Sequence, residues 1–316
     1  MKIQNALVLG TGMMGPGIAV ALALGGVKAT VVSRSSEGAA RGEAAARSAL
    51  DALETAGLVE TGAAAEAAGR IASGSDLDSL LPAADLVIES IVEDMGVKQE
   101  LFARMDALAR PEAILASNTS GLSITGIASQ CAHPERVVTT HFWNPPHLMP
   151  LVEIVLGERT APELAPALRD FFIACGKAPV VVKKDRPGQL GNRLQMALFR
   201  EAVHIVAEGI ADAADVDRAA SLGFGLRLPA YGILEHIDMV GLELARAVCD
   251  YASKDLYSER SAPPLFTEKI ERGEGGAGAG KGFYDWSGKS AAEVKARRDA
   301  WLIECLKRGV HRRGTE

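Results

Sequence analysis

Apolar residues fall in two textures along the chain. Up to about residue 185 they come in short unbroken runs: Ile3 to Leu9, Ala29 to Val32, Asp85-Leu86-Val87-Ile88, Ala113 to Ala116, Val137 to Thr140, Leu151 to Val155 and Ala178 to Val182. Runs of this length without polar alternation predict strands buried on both faces, as in a parallel sheet. Between several of them lie stretches that suit helices. Ile18 to Leu24 is apolar throughout, and residues 37–56 are rich in Ala, Glu, Arg and Leu. This alternation predicts an α/β domain on a mainly parallel, doubly wound sheet. From Leu190 onward the continuous runs disappear and helical periodicity takes over. Lys183-Lys184-Asp185-Arg186-Pro187-Gly188 reads as the junction. The expected organisation is a dinucleotide-binding α/β domain over 1–185 and an all-α domain over 186–316.

Composition narrows the function. A chain of 316 residues with 48% hydrophobic and 23% charged residues has enough apolar surface for two cores. The 34 basic and 40 acidic residues sum to −6, so a broad nucleic-acid-binding surface is not expected. Cys131, Cys175, Cys249 and Cys305 are widely spaced and form no CxxC, which leaves no support for a metal site and suits a reducing cytoplasm. Ala6 to Val27 carries no charge, yet seven of its positions are Gly or Pro... breakers that disfavour a membrane span. No membrane partner is expected.

The first chemical signal is Gly10-Thr11-Gly12-Met13-Met14-Gly15, between a predicted strand and a predicted helix. In that context Gly10 serves a tight turn, Gly12 lets a pyrophosphate approach the backbone, and Gly15 lets helix and strand pack closely. Met13 and Met14 fall within the same coenzyme loop. This is the signature of a Rossmann domain. The next strand ends in Ser33-Arg34-Ser35, where an NAD site carries an acid for the ribose hydroxyl. A guanidinium flanked by hydroxyls favours a 2′-phosphate. NADP is therefore expected over NAD, with NAD possible if Arg34 faces solvent and Glu37 serves the ribose.

A second set lies at other predicted strand ends: Ser117-Asn118-Thr119-Ser120-Gly121, His141-Phe142-Trp143-Asn144-Pro145-Pro146 and Leu151-Val152-Glu153. Glu153 beside His141 would fix one imidazole tautomer and leave His141 to exchange a proton with an alcohol. Ser120 and a side-chain amide would hold the alcohol oxygen. A lone histidine is more often structural, so this pairing needs further support.

That support comes from order. Gly10 to Gly15, Asn118-Thr119-Ser120, His141 to Pro145, Leu151-Val152-Glu153, Asp185-Arg186-Pro187-Gly188, Asn192-Arg193-Leu194 and the closing Gly280-Lys281-Gly282-Phe283-Tyr284 form one string. It resembles the 3-hydroxyacyl-CoA dehydrogenase family over nearly the whole chain. The resemblance implies a Rossmann domain followed by an α-helical domain that forms a homodimer. It implies that His141 is the acid/base and Glu153 its orienting carboxylate. Ser120 and Asn192 match the residues that bind the substrate oxygen. Glu93 and Lys98 match residues near the nicotinamide, and Asn118 joins the coenzyme set. The implied reaction is hydride transfer between C3 of a 3-hydroxy acid, or 3-hydroxyacyl group, and the nicotinamide.

Departures from the family bear on substrate. Members acting on acyl-CoA carry several lysines after the second strand. Here residues 42–69 contain no lysine, one arginine (Arg47) and five acids: Glu43, Asp51, Glu54, Glu60 and Glu66. Such a segment is a poor partner for a phosphorylated nucleotide. Arg227, in Gly223-Phe224-Gly225-Leu226-Arg227-Leu228, falls where related enzymes acting on free hydroxy acids also carry an arginine, and it would clamp a free carboxylate. An ion pair with an acid at a dimer surface is the other role open to it. These departures favour the branch of L-gulonate 3-dehydrogenase and lambda-crystallin. The alternatives are a true 3-hydroxyacyl-CoA dehydrogenase, or a non-catalytic NADP(H)-binding structural or regulatory relative. Residues 271–282, with six glycines, read as a contact-ordered loop, a lid or a flexible connection. The basic residues of 293–313 read as a solvated helix face.

Overall fold

The computed structural model describes residues 2–310. Its first compact unit comprises residues up to Asn192 together with the chain from Leu302 onward; Arg193–Trp301 form the second.

The first unit is built on eight strands: β1 (Asn5–Leu9), β2 (Lys28–Val32), β3 (Ile71–Gly74), β4 (Leu86–Glu89), β5 (Ile114–Ser117), β6 (Val137–Phe142), β7 (Leu151–Leu156) and β8 (Ala178–Val182). Their order is β3-β2-β1-β4-β5-β6-β7-β8, and every pair is parallel except β6 with β7. The apolar runs of the sequence are these strands, as expected for a doubly wound sheet. Nothing in the hydrophobic pattern marks β3, because only Ile71 of its Ile-Ala-Ser-Gly is buried. It is held as an edge strand through β2.

Helices α1 (Gly15–Leu24), α2 (Ser36–Thr55), α3 (Ala63–Ala68), α4 (Leu77–Leu80), α5 (Met95–Leu108), α6 (Ile124–Ile127) and α7 (Leu164–Ala174) connect the strands. Successive strand residues point to opposite faces, so the core divides in two. Val8, Ile88 and Val138 join Ile18, Leu22, Leu50 and Phe172 in one cluster; Leu7, Leu9 and Val87 join Phe102, Met105 and Ile127 in the other. Helix α1 is buried almost throughout, which explains why its sequence shows no polar stripe. Ser35 caps α2 by accepting from the Gly38 N–H at 3.1 Å. The chain runs outward from β1 to β3 and returns to β4. That change of direction opens a crevice at the carboxyl ends of β1 and β4, where open α/β sheets bind ligands.

The second unit contains α9 (Ala213–Leu222), α10 (Phe224–Arg227), α11 (Ile233–Val240), α12 (Leu242–Ala252) and α13 (Pro264–Glu271). Two long helices, α8 (Gly191–Ala207) and α14 (Ala291–Lys307), have most of their length there. Helices α9 to α14 bury no residue completely. The glycine-rich segment is ordered by contacts: Glu274 pairs with Lys269 at 2.9 Å and with Lys281 at 2.7 Å. Those two ammonium groups, Lys281 foremost, hold the Glu274 carboxyl down to about 2. Residues 311–313 of the predicted basic helix lie outside the described residues. Among the described residues no helix is long and apolar enough to cross a membrane.

Candidate active site

Strands β6 and β7 form an antiparallel pair in which His141 lies directly opposite Glu153. Directly opposed residues share a face, and here the side chains meet: His141 Nδ1 and Glu153 Oε2 are 2.7 Å apart. Glu153 is 0% exposed and His141 6%. The carboxylate is fully engaged. Oε2 also accepts from the Trp143 indole at 3.0 Å, and Oε1 accepts from the backbone N–H groups of Leu190 and Gly191 at 3.0 and 2.8 Å. Burial pushes the Glu153 carboxyl up. The hydrogen bonds from His141, Gly191 and Trp143 outweigh it and hold the group below its ordinary value of 4.5. A carboxylate only accepts, so Nδ1 carries the proton and Nε2 is left for exchange with a ligand.

A depressed carboxylate stabilises the fold above its unfolded pKa, and that stabilisation is lost as pH falls through the lower folded value. Urea midpoints followed downward from about pH 6 should therefore fall less steeply below about pH 4.5 in Glu153→Gln than in the unmodified protein. Equal slopes would show that Glu153 is not the held carboxylate described here.

Around this pair the structure gathers several expected residues. Asn192 Nδ2 donates to the Ser120 carbonyl at 2.8 Å. The Ser120 hydroxyl lies 3.3 Å from Glu93 Oε1, which also accepts from the Ser120 N–H at 3.0 Å and the Thr119 hydroxyl at 2.5 Å. Burial raises the Glu93 carboxyl, but Thr119, Lys98 and Ser120 outweigh it and leave it lowered. Asn118 is committed to the scaffold: Oδ1 accepts from the Phe142 N–H at 2.8 Å and Nδ2 donates to Ser90 Oγ at 3.2 Å. That tie joins the ends of β4 and β6, next to His141.

Lys98 is placed differently from a ligand contact. It is 1% exposed, 2.5 Å from Glu89 and 3.4 Å from Glu93. Glu89, also fully buried, accepts further from the Ile91 N–H and the Ser117 hydroxyl, each at 2.7 Å. Lys98 thus anchors Glu93 from behind. Sequence reasoning missed Glu89, Trp143 and Gln189 as supports of the site. Gln189 is buried, sits at φ +52° and donates from Nε2 to the Thr119 carbonyl at 2.8 Å. Its one legible signal is its place between Gly188 and the Gly191-Asn192 pair.

The glycine loop fits a nucleotide pyrophosphate. Gly10 sits at φ +109°, where a Cβ would strike the Ser90 carbonyl. A Cβ on Gly15 would collide with the Gly10 carbonyl. Above Gly12 a Cβ would meet no protein atom within 4 Å. No side chain caps the first N–H groups of α1, and its first turn carries no acid. An open space facing free N–H groups suits an anion. Met13 and Met14 follow Gly12 at the head of this helix, Met13 being exposed. Beyond β2, Ser33 is half-buried and Ser35 is used in the α2 cap. Arg34 is exposed and has no ion pair among the described residues, whereas Glu37 pairs with Arg41 at 2.5 Å. Arg227 lies in the second unit at the end of α10, exposed and likewise without an ion pair among the described residues.

Comparisons with known proteins bear on the family and the fold. Residues 5–186 match the family model for the NAD binding domain of 3-hydroxyacyl-CoA dehydrogenase, and residues 188–286 match its C-terminal domain. The chain is 35% identical over 303 residues to 5-formyl-3-hydroxy-2-methylpyridine 4-carboxylate 5-dehydrogenase of Mesorhizobium japonicum, covering 95% of this chain and 96% of that one. It is 34% identical to a probable 3-hydroxybutyryl-CoA dehydrogenase of Deinococcus radiodurans, covering 88% and 99%. A crystal structure of a 5-formyl-3-hydroxy-2-methylpyridine 4-carboxylic acid 5-dehydrogenase, described as an NAD+ dependent dismutase, superposes with a TM-score of 0.89 at 32% identity over the whole of both chains.

Proposed function

Because this chain belongs to the 3-hydroxyacyl-CoA dehydrogenase family, and is thus a nicotinamide-dependent oxidoreductase acting on a CH–OH group, we propose that it interconverts a small free 3-hydroxy acid and its 3-oxo form. The observation that carries this reading is the buried His141–Glu153 pair beside Ser120 and Asn192. In the oxidative direction His141 Nε2 takes the hydroxyl proton as the hydrogen on C3 leaves as hydride. In reverse the imidazolium returns a proton to the carbonyl oxygen. Glu153 holds the ring and balances its positive charge. Ser120 and Asn192 bind the oxygen, and Glu93, backed by Lys98, fixes the Ser120 backbone. The nicotinamide, when bound, accepts or supplies the hydride. Gly10, Gly12 and Gly15, with Met13 and Met14, cradle the coenzyme, and Asn118 keeps the strand ends in place around it.

Relatives of both kinds match this chain, and two features favour a free acid over a CoA thioester. Helix α2, the connection that follows it and α3 expose Asp51, Glu60 and Glu66, the last paired with Arg70, and residues 42–69 carry no lysine, a poor surface for a phosphorylated nucleotide. Arg227 is exposed, has no ion pair among the described residues and carries a guanidinium suited to a carboxylate. Reduced-coenzyme consumption with acetoacetate and with acetoacetyl-CoA tests the choice. Turnover of the free acid is expected; turnover confined to the thioester would overturn it.

NADP is the preferred coenzyme in this reading, although the superposed relative is described as NAD+ dependent. The support is Arg34, exposed between Ser33 and Ser35 and without an ion pair among the described residues, with Glu37 already engaged by Arg41. Arg34→Asp should weaken NADPH binding ~10- to 100-fold, the worth of a charge-assisted hydrogen bond, and leave NADH binding little changed. Equal losses for both coenzymes would remove the 2′-phosphate role. Leu222, Leu226, Ile233, Leu234, Met239 and Leu242 of α9 to α12 are all exposed, as apolar side chains that a second copy of the chain covers would be, which supports a homodimer. The acidic charge balance and the four free cysteines support a cytoplasmic protein that binds neither nucleic acid nor membrane.

A further inference from the structure

We propose that Trp143 is a positioning residue that sets the basicity of His141 by sharing Glu153 with it, a reading that rests on His141 as the acid/base. The two side chains compete for one oxygen. Glu153 Oε2 accepts from His141 at 2.7 Å and from the Trp143 indole at 3.0 Å, while Oε1 is already taken by two backbone donors. Each donor draws negative charge from the carboxylate. The indole N–H therefore weakens the pull of Oε2 on the imidazolium, and keeps His141 readier to give up its proton. Trp143 does this without touching the reacting atoms.

The packing is built around the indole. Its six-membered ring lies against Gly191, where a Cβ would come within 2.5 Å of Trp143 Cζ2. Only a bare backbone lets the ring and the Gly191 N–H serve Glu153 together. The rings of His141 and Trp143 are 5.7 Å apart and tilted by 49°, so they do not stack and the carboxylate is the polar link between them. Phenylalanine would fill part of the space and lack the donor.

Among the described residues, charged and titratable groups on the neighbouring elements include His147 of the same loop. Glu89, Glu93 and Lys98 pair among themselves at the ends of β4 and α5. Asp185 accepts from the Ser123 hydroxyl and the Thr125 N–H. Arg186 and Arg193 flank the segment that donates to Glu153, and β8, which pairs with β7, carries no charge. All of them are unchanged in the variants below, so a shift reports the indole.

The test is the His141 pKa of Trp143→Phe, read two ways: from imidazole NMR of the free protein and from the acid limb of kcat/KM. Both should rise by about half a unit to one unit, because hydrogen bonding to the charged partner is what changes. The NMR readout needs no substrate, so it stays decisive even if the proposed substrate class is wrong. An unchanged His141 pKa would overturn the proposal, including when kcat falls at every pH. If Trp143→Phe does not fold, replacing the indole by benzothienylalanine keeps the bicyclic shape and removes only the N–H; the same rise is expected, and its absence is equally fatal. Gly191→Ala supplies the packing arm. It should lower kcat/KM by at least about tenfold alone and be largely rescued when combined with Trp143→Phe, as for coupled neighbours. An equal loss in both backgrounds would overturn the shared-carboxylate arrangement.

Discussion

Changing His141 to alanine is expected to lower kcat by ~10²–10⁴-fold, the contribution of one general acid–base group. Coenzyme affinity should be unchanged, because the glycine loop lies between β1 and α1, three strands away from β6 in the sheet, and keeps its own geometry. The fold should survive as well. Glu153 loses one donor and keeps three, from Trp143, Leu190 and Gly191. Steady-state kinetics and coenzyme fluorescence titration measure the two halves of the expectation. Turnover within tenfold of the unmodified enzyme would mean that another group moves the proton. Loss of coenzyme binding together with turnover would mean that His141 is structural.

The second large effect is on stability. Lys98→Met should destabilise the first unit by about 3–5 kcal/mol, the cost of leaving one member of a buried ion pair alone. Lys98 and Glu89 are 1% and 0% exposed, and their atoms meet at 2.5 Å. After the substitution Glu89 keeps only the Ile91 N–H and the Ser117 hydroxyl. The paired change Lys98→Met with Glu89→Gln removes the stranded charge and should recover much of the loss. Urea unfolding of the single and double variants measures this. A loss below about 1 kcal/mol for Lys98→Met, the range of surface pairs, would show that the pair is solvated in solution. Glu93 would also lose its support at 3.4 Å, so a rise in KM is expected with the loss of stability.

Much of this arrangement is legible in the residues. Seven of the strands show as apolar runs because parallel strands are covered on both faces and need no polar alternation. The glycine loop shows because its backbone leaves room for no side chain at Gly10 or Gly15. His141 and Glu153 attract attention as polar residues inside apolar runs. Their direct opposition depends on the antiparallel register of β6 on β7, which adjacent strands in a mainly parallel sheet do not announce.

Other features are hidden for physical reasons. Strand β3 has one buried side chain and exists because β2 offers it a ladder. Lys98 enters the sequence reading as a residue near the nicotinamide; only the fold shows that its ammonium turns inward onto Glu89 from another element. Trp143 reads as an aromatic beside the histidine, and its role emerges with Glu153 Oε2 at 3.0 Å and Gly191 beneath its ring. Long-range partners of this kind come from different segments of chain, and local pattern carries no record of them.

The measurement closest to the central claim is the fate of a labelled hydride. Reduced coenzyme deuterated at the transferring position of the nicotinamide is incubated with the protein and acetoacetate, and the product is examined by mass spectrometry and NMR. The account predicts one deuterium at C3 of the hydroxy acid for each coenzyme oxidised. Coenzyme oxidation without label at C3, or no oxidation with acetoacetate and its close free-acid homologues, would contradict it.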